Sequence, residues 1–243
     1  MSLIKKIKNT LVLLSYNEID ALKLLHDWIP FDSADEVFAI DPGSTDGTLE
    51  FYKKKGIKYH LQKELGRGKA FVEALKHAKG KNIVFFSTDG NEDPKDIPKL
   101  FHYLEKGYDL VIAGRFIHKD SKSDDSDDPL RIRKACNIMC SGLANIIWNT
   151  GAYDAINGFR GLKKDAMIRM NLDAPKHEIE YQTTIRAAKL GMKIKEIPTH
   201  ELERLGGLRK PTAGTLVLAK AFTKFFVKEL MTGKSFQKES RKP

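Results

Sequence analysis

Ile83-Val84-Phe85-Phe86, followed by Ser87-Thr88-Asp89-Gly90-Asn91-Glu92-Asp93-Pro94, is the stretch on which the fold turns. A short unbroken apolar run closed by a polar turn containing Gly and Pro reads as a strand buried on both faces. The same grammar recurs three times. Thr10 to Ser15 runs into Ser15-Tyr16-Asn17-Glu18, Val37 to Ile40 into Asp41-Pro42-Gly43-Ser44-Thr45-Asp46-Gly47-Thr48, and Leu110 to Ala113 into Gly114-Arg115. Helical patterns lie between the runs. Glu18 to Trp28 sets Ala21, Leu22, Leu24, Leu25 and Trp28 on one side, and Gly68 to Lys79 repeats this with Ala70, Phe71, Ala74, Leu75 and Ala78. Strands alternating with helices of this length predict an α/β fold with a mainly parallel sheet flanked by helices, whose ligands gather at the carboxyl ends of strands. Four polar clusters at four strand ends therefore describe one pocket.

Further along, Asp120 to Asp128 reads DSKSDDSDD and predicts a mobile acidic loop. A long helix from Leu130 to Trp148, a helix near Glu178 to Leu190 and a strand near Lys193 to Ile197 follow. A last helix spans about Thr215 to Met231, with Lys220, Lys224 and Lys228 on one stripe and Leu218, Phe222, Phe225 and Phe226 around the other side. Two readings of it stand: packing on the sheet, or lying in a membrane interface. Gly233 to Pro243 is expected to be a frayed basic tail. The longest uncharged stretch, Ala135 to Tyr153, is interrupted by Asn137, Ser141, Asn145 and Asn149, so no transmembrane helix is expected. Met1 to Asn9 alternates Lys with single apolar residues and reads against a secretory leader.

Of the 243 residues, 42 are Lys or Arg and 32 Asp or Glu, a formal charge of +10; 41% are hydrophobic and 30% charged. This is ordinary globular composition for one large domain or two small ones, and it excludes disordered, collagenous and disulfide-stapled chains. Cys136 and Cys140, four apart on a helix, suit neither a zinc site nor a disulfide framework and fit a reducing cytoplasm. The basic balance invites phosphate-rich partners: nucleic acid, anionic lipid headgroups or a diphosphate substrate. Nucleic acid is set aside, because the basic residues are spread along the chain among acids and no RNA-binding motif is present.

In order, LSYNE, AIDPGSTDGT, GRGKA, STDGNEDP, AGRF, DAINGFRG and EIPTHELERLGGLRK resemble family-two glycosyltransferases of the Rossmann-like GT-A fold. They are most similar to the dolichol-phosphate mannose synthase-like branch, which glycosylates polyprenyl phosphates. The resemblance runs from about Thr10 to Lys210. It implies an inverting enzyme that moves a sugar from a nucleotide-sugar, GDP-mannose or UDP-hexose, to a polyprenyl or dolichyl phosphate. Transfer to a sugar hydroxyl, or a degenerate subunit that only binds the nucleotide-sugar, are the alternatives.

The resemblance assigns the donor to Ser15, Tyr16, Asn17, Glu18, Asp41, Gly68, Lys69 and Asp89, with Asp41 accepting from the base ring and Tyr16 covering it. Ser44, Thr45 and Asp46 are expected to cap the next helix, and Gly66-Arg67-Gly68-Lys69 to let backbone approach the donor and to supply cations. The family's strand-end Asp-x-Asp holds Mg²⁺ or Mn²⁺; here the triplet is Ser87-Thr88-Asp89, so the first carboxylate is missing. Asp89 and Asn91 remain as the expected metal ligands. Pro42 likewise replaces the second Asp of the usual Asp-Asp-Gly-Ser. A phosphate acceptor is already ionised at neutral pH and needs cations rather than a base. The resemblance points to Arg115, one of Arg131 or Arg133, and Arg204, the catalytic set being Asp89, Arg115, Arg133 and Arg204. Asp154 and Gly158-Phe159-Arg160 match D-x-x-S-G-F-R with Asn157 in place of Ser and are expected to shape the sugar pocket. Glu178 and Glu180 fall near a family acidic position, and neither is named a base. The expected division is a catalytic domain over residues 1–212 and an amphipathic helix with a basic tail over 213–243, working in the cytoplasm at the inner face of a membrane.

Overall fold

The computed structural model describes residues 7–117, 132–205 and 215–239. The acidic stretch Asp120 to Asp128, Arg131, Arg209 and Lys210 lie outside them. In chain order the elements are β1 (Asn9–Leu14), α1 (Ile19–Leu25), β2 (Glu36–Asp41), α2 (Thr48–Lys55), β3 (Lys58–Leu61), α3 (Arg67–His77), β4 (Asn82–Ser87), α4 (Ile97–Glu105) and β5 (Leu110–Gly114). There follow α5 (Ile132–Trp148), β6 (Arg160–Lys163), α6 (Lys164–Met170), α7 (Glu178–Lys189), β7 (Ile194–Pro198), α8 (Thr215–Thr232) and α9 (Phe236–Glu239).

The strands form one sheet in the order β3-β2-β1-β4-β6-β5-β7. β6 runs antiparallel to both its neighbours, and the other pairings are parallel. Side chains alternate across a strand, so each central run serves two cores. Leu11, Leu13, Val84, Phe86 and Val111 pack with Leu22, Tyr52, Leu100 and Leu104 on one face. Val12, Leu14, Ile83, Phe85 and Ile112 pack with Phe71, Ala74, Ile179 and Ile185 on the other. Each fully buried aliphatic or aromatic side chain contributes about 1.5–3 kcal/mol. The requirement for apolar residues on both faces is why these strands read as unbroken runs.

Three expectations are corrected here. The first helix ends at Leu25 and continues as a 3-10 turn, His26–Trp28, and of its expected apolar side Leu24 and Trp28 are exposed. In α8, Phe222, Phe225 and Phe226 face inward, against Tyr181 and Trp148. The helix is fastened by a fully buried Glu229, which accepts from Arg186 Nε at 3.0 Å and from Lys189 Nζ at 2.7 Å. The aromatic side of α8 is therefore core and is not available to a membrane. The tail, expected to fray, is anchored as far as Phe236, which is buried under the Arg186 guanidinium at 4.5 Å.

The bare apolar surface lies on α5. Ala135, Ile138, Met139, Gly142, Leu143, Ile146 and Ile147 are exposed at spacings that place them on one stripe. Among the described residues no helix is long and apolar enough to cross a membrane.

Candidate active site

The carboxyl ends of β4 and β5, the turn before β6 and the start of α7 enclose a cavity of about 330 Å³. Its floor is built around Ser87. The serine N–H and Oγ–H donate to the two carboxylate oxygens of Glu92 at 2.6 and 2.9 Å, and Oγ accepts from Arg67 Nη1 at 3.1 Å. Arg67 also donates to Glu180 through Nε, and its Nη2 lies 3.8 Å from Glu92. Burial disfavours the Arg67 charge, but Glu180 and Glu92 outweigh it and hold the guanidinium above its usual range. Burial pushes the Glu92 carboxyl up to about 8, against the pull of Arg67. Gly158 makes room for this cation: a Cβ there would stand 2.1 Å from Arg67 Nη2.

Asp89, Asn91 and Glu92 all line the cavity. Asp89 Oδ1 accepts weakly from the Asn91 N–H at 3.4 Å. The Asn91 side-chain oxygen is buried with no hydrogen-bond partner among the described residues. Two segments meet at this loop: Leu202 N–H donates to Asn91 C=O at 2.8 Å, and Leu205 N–H to Asp89 C=O at 3.1 Å. Gly90 (φ +95°) lies under Leu205, where a Cβ would meet backbone at 2.6 Å.

On the β5 side, Arg115 forks onto Asp154, with Nε–Oδ2 at 2.7 Å and Nη2–Oδ1 at 3.1 Å, and reaches Glu201 at 3.4 Å. Burial opposes the Arg115 charge; Asp154 and Glu201 more than offset it and raise its pKa. Arg115, expected at the acceptor phosphate, is thus a compensated cation that lines the cavity. Behind it Glu196 accepts from the Tyr153 and Asp154 N–H groups at 2.6 and 2.9 Å. Burial, with the Asp154 charge alongside, pushes the Glu196 carboxyl up to about 7. Asn157, Gly158 and Phe159 line the cavity, as the sequence segment suggested. Arg160 is fully buried and bonds Thr183 and the Glu180 and Ala155 carbonyls; burial brings its pKa down to about 10.

The donor residues expected at the β1 and β2 ends take several different roles. Ser15 is buried, bonded to Tyr52 OH and to Thr88 Oγ1 at 2.8 Å, so it braces strand ends instead of offering a free hydroxyl. Asp41 is fully buried, and its carboxylate accepts from Gly43 N–H, Ser44 N–H and Ser44 Oγ at 2.8, 2.6 and 2.6 Å. The carboxylate first shapes its own loop, which corrects the picture of an open acceptor. Asn17 (φ +53°) ties the loops together through Thr45 N–H at 2.8 Å, and Tyr16 is exposed. Asp46 accepts from Thr48 N–H at 3.0 Å and from Ile19 N–H, but the N-cap of α2 is Gly47 and no side chain caps the helix, which corrects the expected cap. Ser44 and Thr45 knit the loops and do not cap.

Glu18 is buried and pairs with Arg204, whose Nε has no partner among the described residues. Arg204 is not among the residues lining the cavity. Gly68 is required by packing: a Cβ would stand 1.8 Å from the Ala174 C=O. Lys69 pairs with Glu64 at 3.0 Å, outside the cavity. Arg133 falls in the first turn of α5, and its side chain, like all of Arg131, lies outside the described residues. Sequence reasoning did not single out Glu92, His177, His200 or Glu201, which all line the cavity. Glu92 stood in view inside a strand-end motif, and His200 and Glu201 inside EIPTHELERLGGLRK; His177 carries no local signal.

Among the described residues no three His, Cys, Asp or Glu side chains are gathered into a metal cluster. The cavity offers instead two carboxylates, Asp89 and Glu92, with the orphaned Asn91 oxygen. An all-oxygen set of this kind suits Mg²⁺ or Mn²⁺, which complete their shells with water and phosphate.

Residues 10–170, more than half of the chain, match the model of Glycosyl transferase family 2. The chain belongs to this family. The chain is 29% identical over 198 residues to Glycosyltransferase AglJ of Haloferax volcanii, covering 79% of this chain and 62% of AglJ, so it spans less than two thirds of that relative. It is 28% identical over 208 residues to the Dolichyl-phosphate hexose transferase of the same organism, covering 82% of this chain and 84% of that protein. The chain also superposes on glucosyl-3-phosphoglycerate synthase from Mycobacterium tuberculosis, solved with Mn²⁺, UDP and glucosyl-3-phosphoglycerate. The TM-score is 0.69 over 94% of this chain and 80% of that one, at 19% identity. The architecture is GT-A.

Proposed function

We propose that the transferase moves a hexose from a nucleotide-sugar to a polyprenyl phosphate, with inversion at the anomeric carbon, at the inner face of a membrane. The carrying observation is on α5, where Asn137 lines the cavity while Ile138, Met139, Leu143, Ile146 and Ile147 are exposed beside it. A polyprenyl phosphate has that same division, an anion for the cavity and a hydrocarbon tail for the stripe. Lying in a bilayer interface would remove apolar surface from water at about 25 cal/mol per Å². The formal charge of +10 favours anionic headgroups. A relative named for dolichyl-phosphate hexose transfer supports the same reading.

The chemistry asks little of a base. A phosphate monoester, with a second pKa near 6, presents an ionised oxygen at neutral pH. That oxygen attacks the anomeric carbon, the bond from this carbon to the nucleoside diphosphate breaks, and the diphosphate leaves with the electron pair. Arg67, which donates to Ser87 Oγ at 3.1 Å, faces the leaving group. Arg115 Nη1, held only at 3.4 Å by Glu201, is the arm that an arriving acceptor phosphate takes over, with Arg131 or Arg133 completing the cradle. Arg204 acts from behind through Glu18, and Tyr16 and the Asp41 loop receive the base. A Mg²⁺ or Mn²⁺ held by Asp89 and Asn91 supplies, when bound, charge neutralisation that makes the nucleotide a better leaving group.

One observation favours transfer to a sugar hydroxyl instead: His177 and His200 line the cavity, and an imidazole can take a hydroxyl proton. Assaying a panel of GDP- and UDP-sugars, with and without a short polyprenyl phosphate, separates the readings. Sugar-lipid product from one donor is expected. Product only on a sugar alcohol would favour the hydroxyl reading, and nucleotide binding without any turnover would leave a degenerate binder.

A further inference from the structure

We propose that Glu92 supplies the carboxylate missing at Ser87, so that Asp89, Glu92 and the Asn91 side-chain oxygen together seat the divalent cation. This rests on reading the cavity as the donor-diphosphate site. The Ser87 N–H and Oγ–H grip both oxygens of Glu92, which places a carboxylate one hydrogen bond beyond the position where an aspartate side chain at residue 87 would end. The loop is built to deliver it. Leu202 and Leu205 hold the Asn91 and Asp89 carbonyls, and Asp93 caps the 3-10 turn Pro94–Asp96 through Lys95 N–H at 3.0 Å. Glu92 is thereby fixed from both sides.

Charge and the buried amide point the same way. Asp89, Glu92 and Glu180 gather around the Arg67 guanidinium, so acidic groups outnumber that cation at the mouth of the site, with Arg160 held behind on the Glu180 carbonyl. Arg67 Nη2 stands 3.8 Å from Glu92, an ion-pair distance too long for a hydrogen bond, so the carboxylate keeps free lone pairs. The Asn91 oxygen is buried with no partner among the described residues, a costly arrangement for a polar atom unless something in the cavity meets it. Two carboxylates, one amide oxygen and remaining positions for water and phosphate form a hard-cation site.

The test is Mn²⁺ binding to the full chain, by calorimetry and by the electron paramagnetic resonance of unbound Mn²⁺, alone and with UDP or GDP. Four variants are compared: Asp89→Asn, Glu92→Gln, Ser87→Asp, and Ser87→Asp combined with Glu92→Gln. Gln keeps the shape of the side chain and an acceptor for Ser87, and unfolding temperatures check that the variants fold. Glu92→Gln is expected to weaken Mn²⁺ by at least about tenfold, Asp89→Asn to do the same, and Ser87→Asp to restore affinity in the Glu92→Gln background. Unchanged Mn²⁺ affinity in folded Glu92→Gln, with loss in Asp89→Asn, would overturn the proposal and leave Glu92 as a counterion of Arg67. Absence of Mn²⁺ binding by the unaltered chain also overturns it. Nucleotide binding, titrated in EDTA, then tells whether the donor site itself survives.

Discussion

In the proposed reading Arg115 receives the acceptor phosphate, and its energetics are those of a buried, forked pair. Asp154 is fully buried, so removing the guanidinium leaves a carboxylate paired only with backbone N–H, while a lysine restores the charge without the fork. Losing one charge-assisted contact costs about 1.5–3 kcal/mol, roughly ten- to a hundredfold in rate where that contact tightens in the transition state. Arg115→Ala is expected to lower transfer to polyprenyl phosphate by this factor and Arg115→Lys to recover part of it, read from initial rates at saturating donor. Glu196 gives a separate signature. Its carboxyl titrates near 7 when folded, above the ordinary value of 4.5. The native state therefore holds a proton that the unfolded chain has already released, and stability falls as pH rises from about 4.5 to about 7, then levels off. Urea unfolding across that window is expected to show the decline, and Glu196→Gln to make it shallower, leaving the share of Glu92, whose carboxyl burial pushes up to about 8.

At the scale of elements, the structure decides between two readings of α8 in favour of packing and leaves the exposed apolar stripe on α5. The Lys stripe of α8 faces water as expected, but its aromatic side is closed by the buried Arg186–Glu229–Lys189 cluster. Breaking a buried ion pair by removing one partner costs about 3–5 kcal/mol, whereas a half-exposed pair contributes less than about 1. Glu229→Ala is expected to destabilise the fold by the larger amount and Lys228→Ala, whose partner is Asp173 at 2.6 Å, by the smaller, compared by denaturant midpoints. α5 keeps Ile146, 82% exposed, at the centre of a stripe without a partner. Ile146→Glu is expected to reduce sedimentation with anionic vesicles several-fold while leaving nucleotide affinity unchanged; equal sedimentation would remove α5 as the membrane-facing helix. β3 and β6 were not read from sequence for physical reasons. β3 is a half-exposed edge strand with Lys58 outward, and β6 begins at Arg160, a buried cation that breaks the apolar run and is met by Thr183 and the Glu180 carbonyl on α7 as well as by the nearby Asn157 and Ala155 carbonyls.

Over the whole molecule, what could be read in the sequence was what is local. Strand runs, turn residues and the carboxylates at strand ends lie within a few positions of each other, so the sheet and the place of the pocket followed from periodicity. The wiring of the pocket is non-local. Arg67 meets Glu180 across 113 residues, Arg115 meets Asp154 across 39, and Arg204 meets Glu18 across 186. No spacing rule reports such pairs, and for this reason the carboxylate partners of these arginines were not legible in the sequence. Their arrangement still defines the central claim, a cavity whose cations receive a lipid phosphate and need no base. The most direct test offers the unaltered transferase its radiolabelled nucleotide-sugar with a polyprenyl phosphate or with the polyprenol of the same length, and measures label in the lipid fraction. The account predicts labelled lipid from the phosphate and none from the alcohol; efficient labelling of the alcohol, with the phosphate inert, would contradict it.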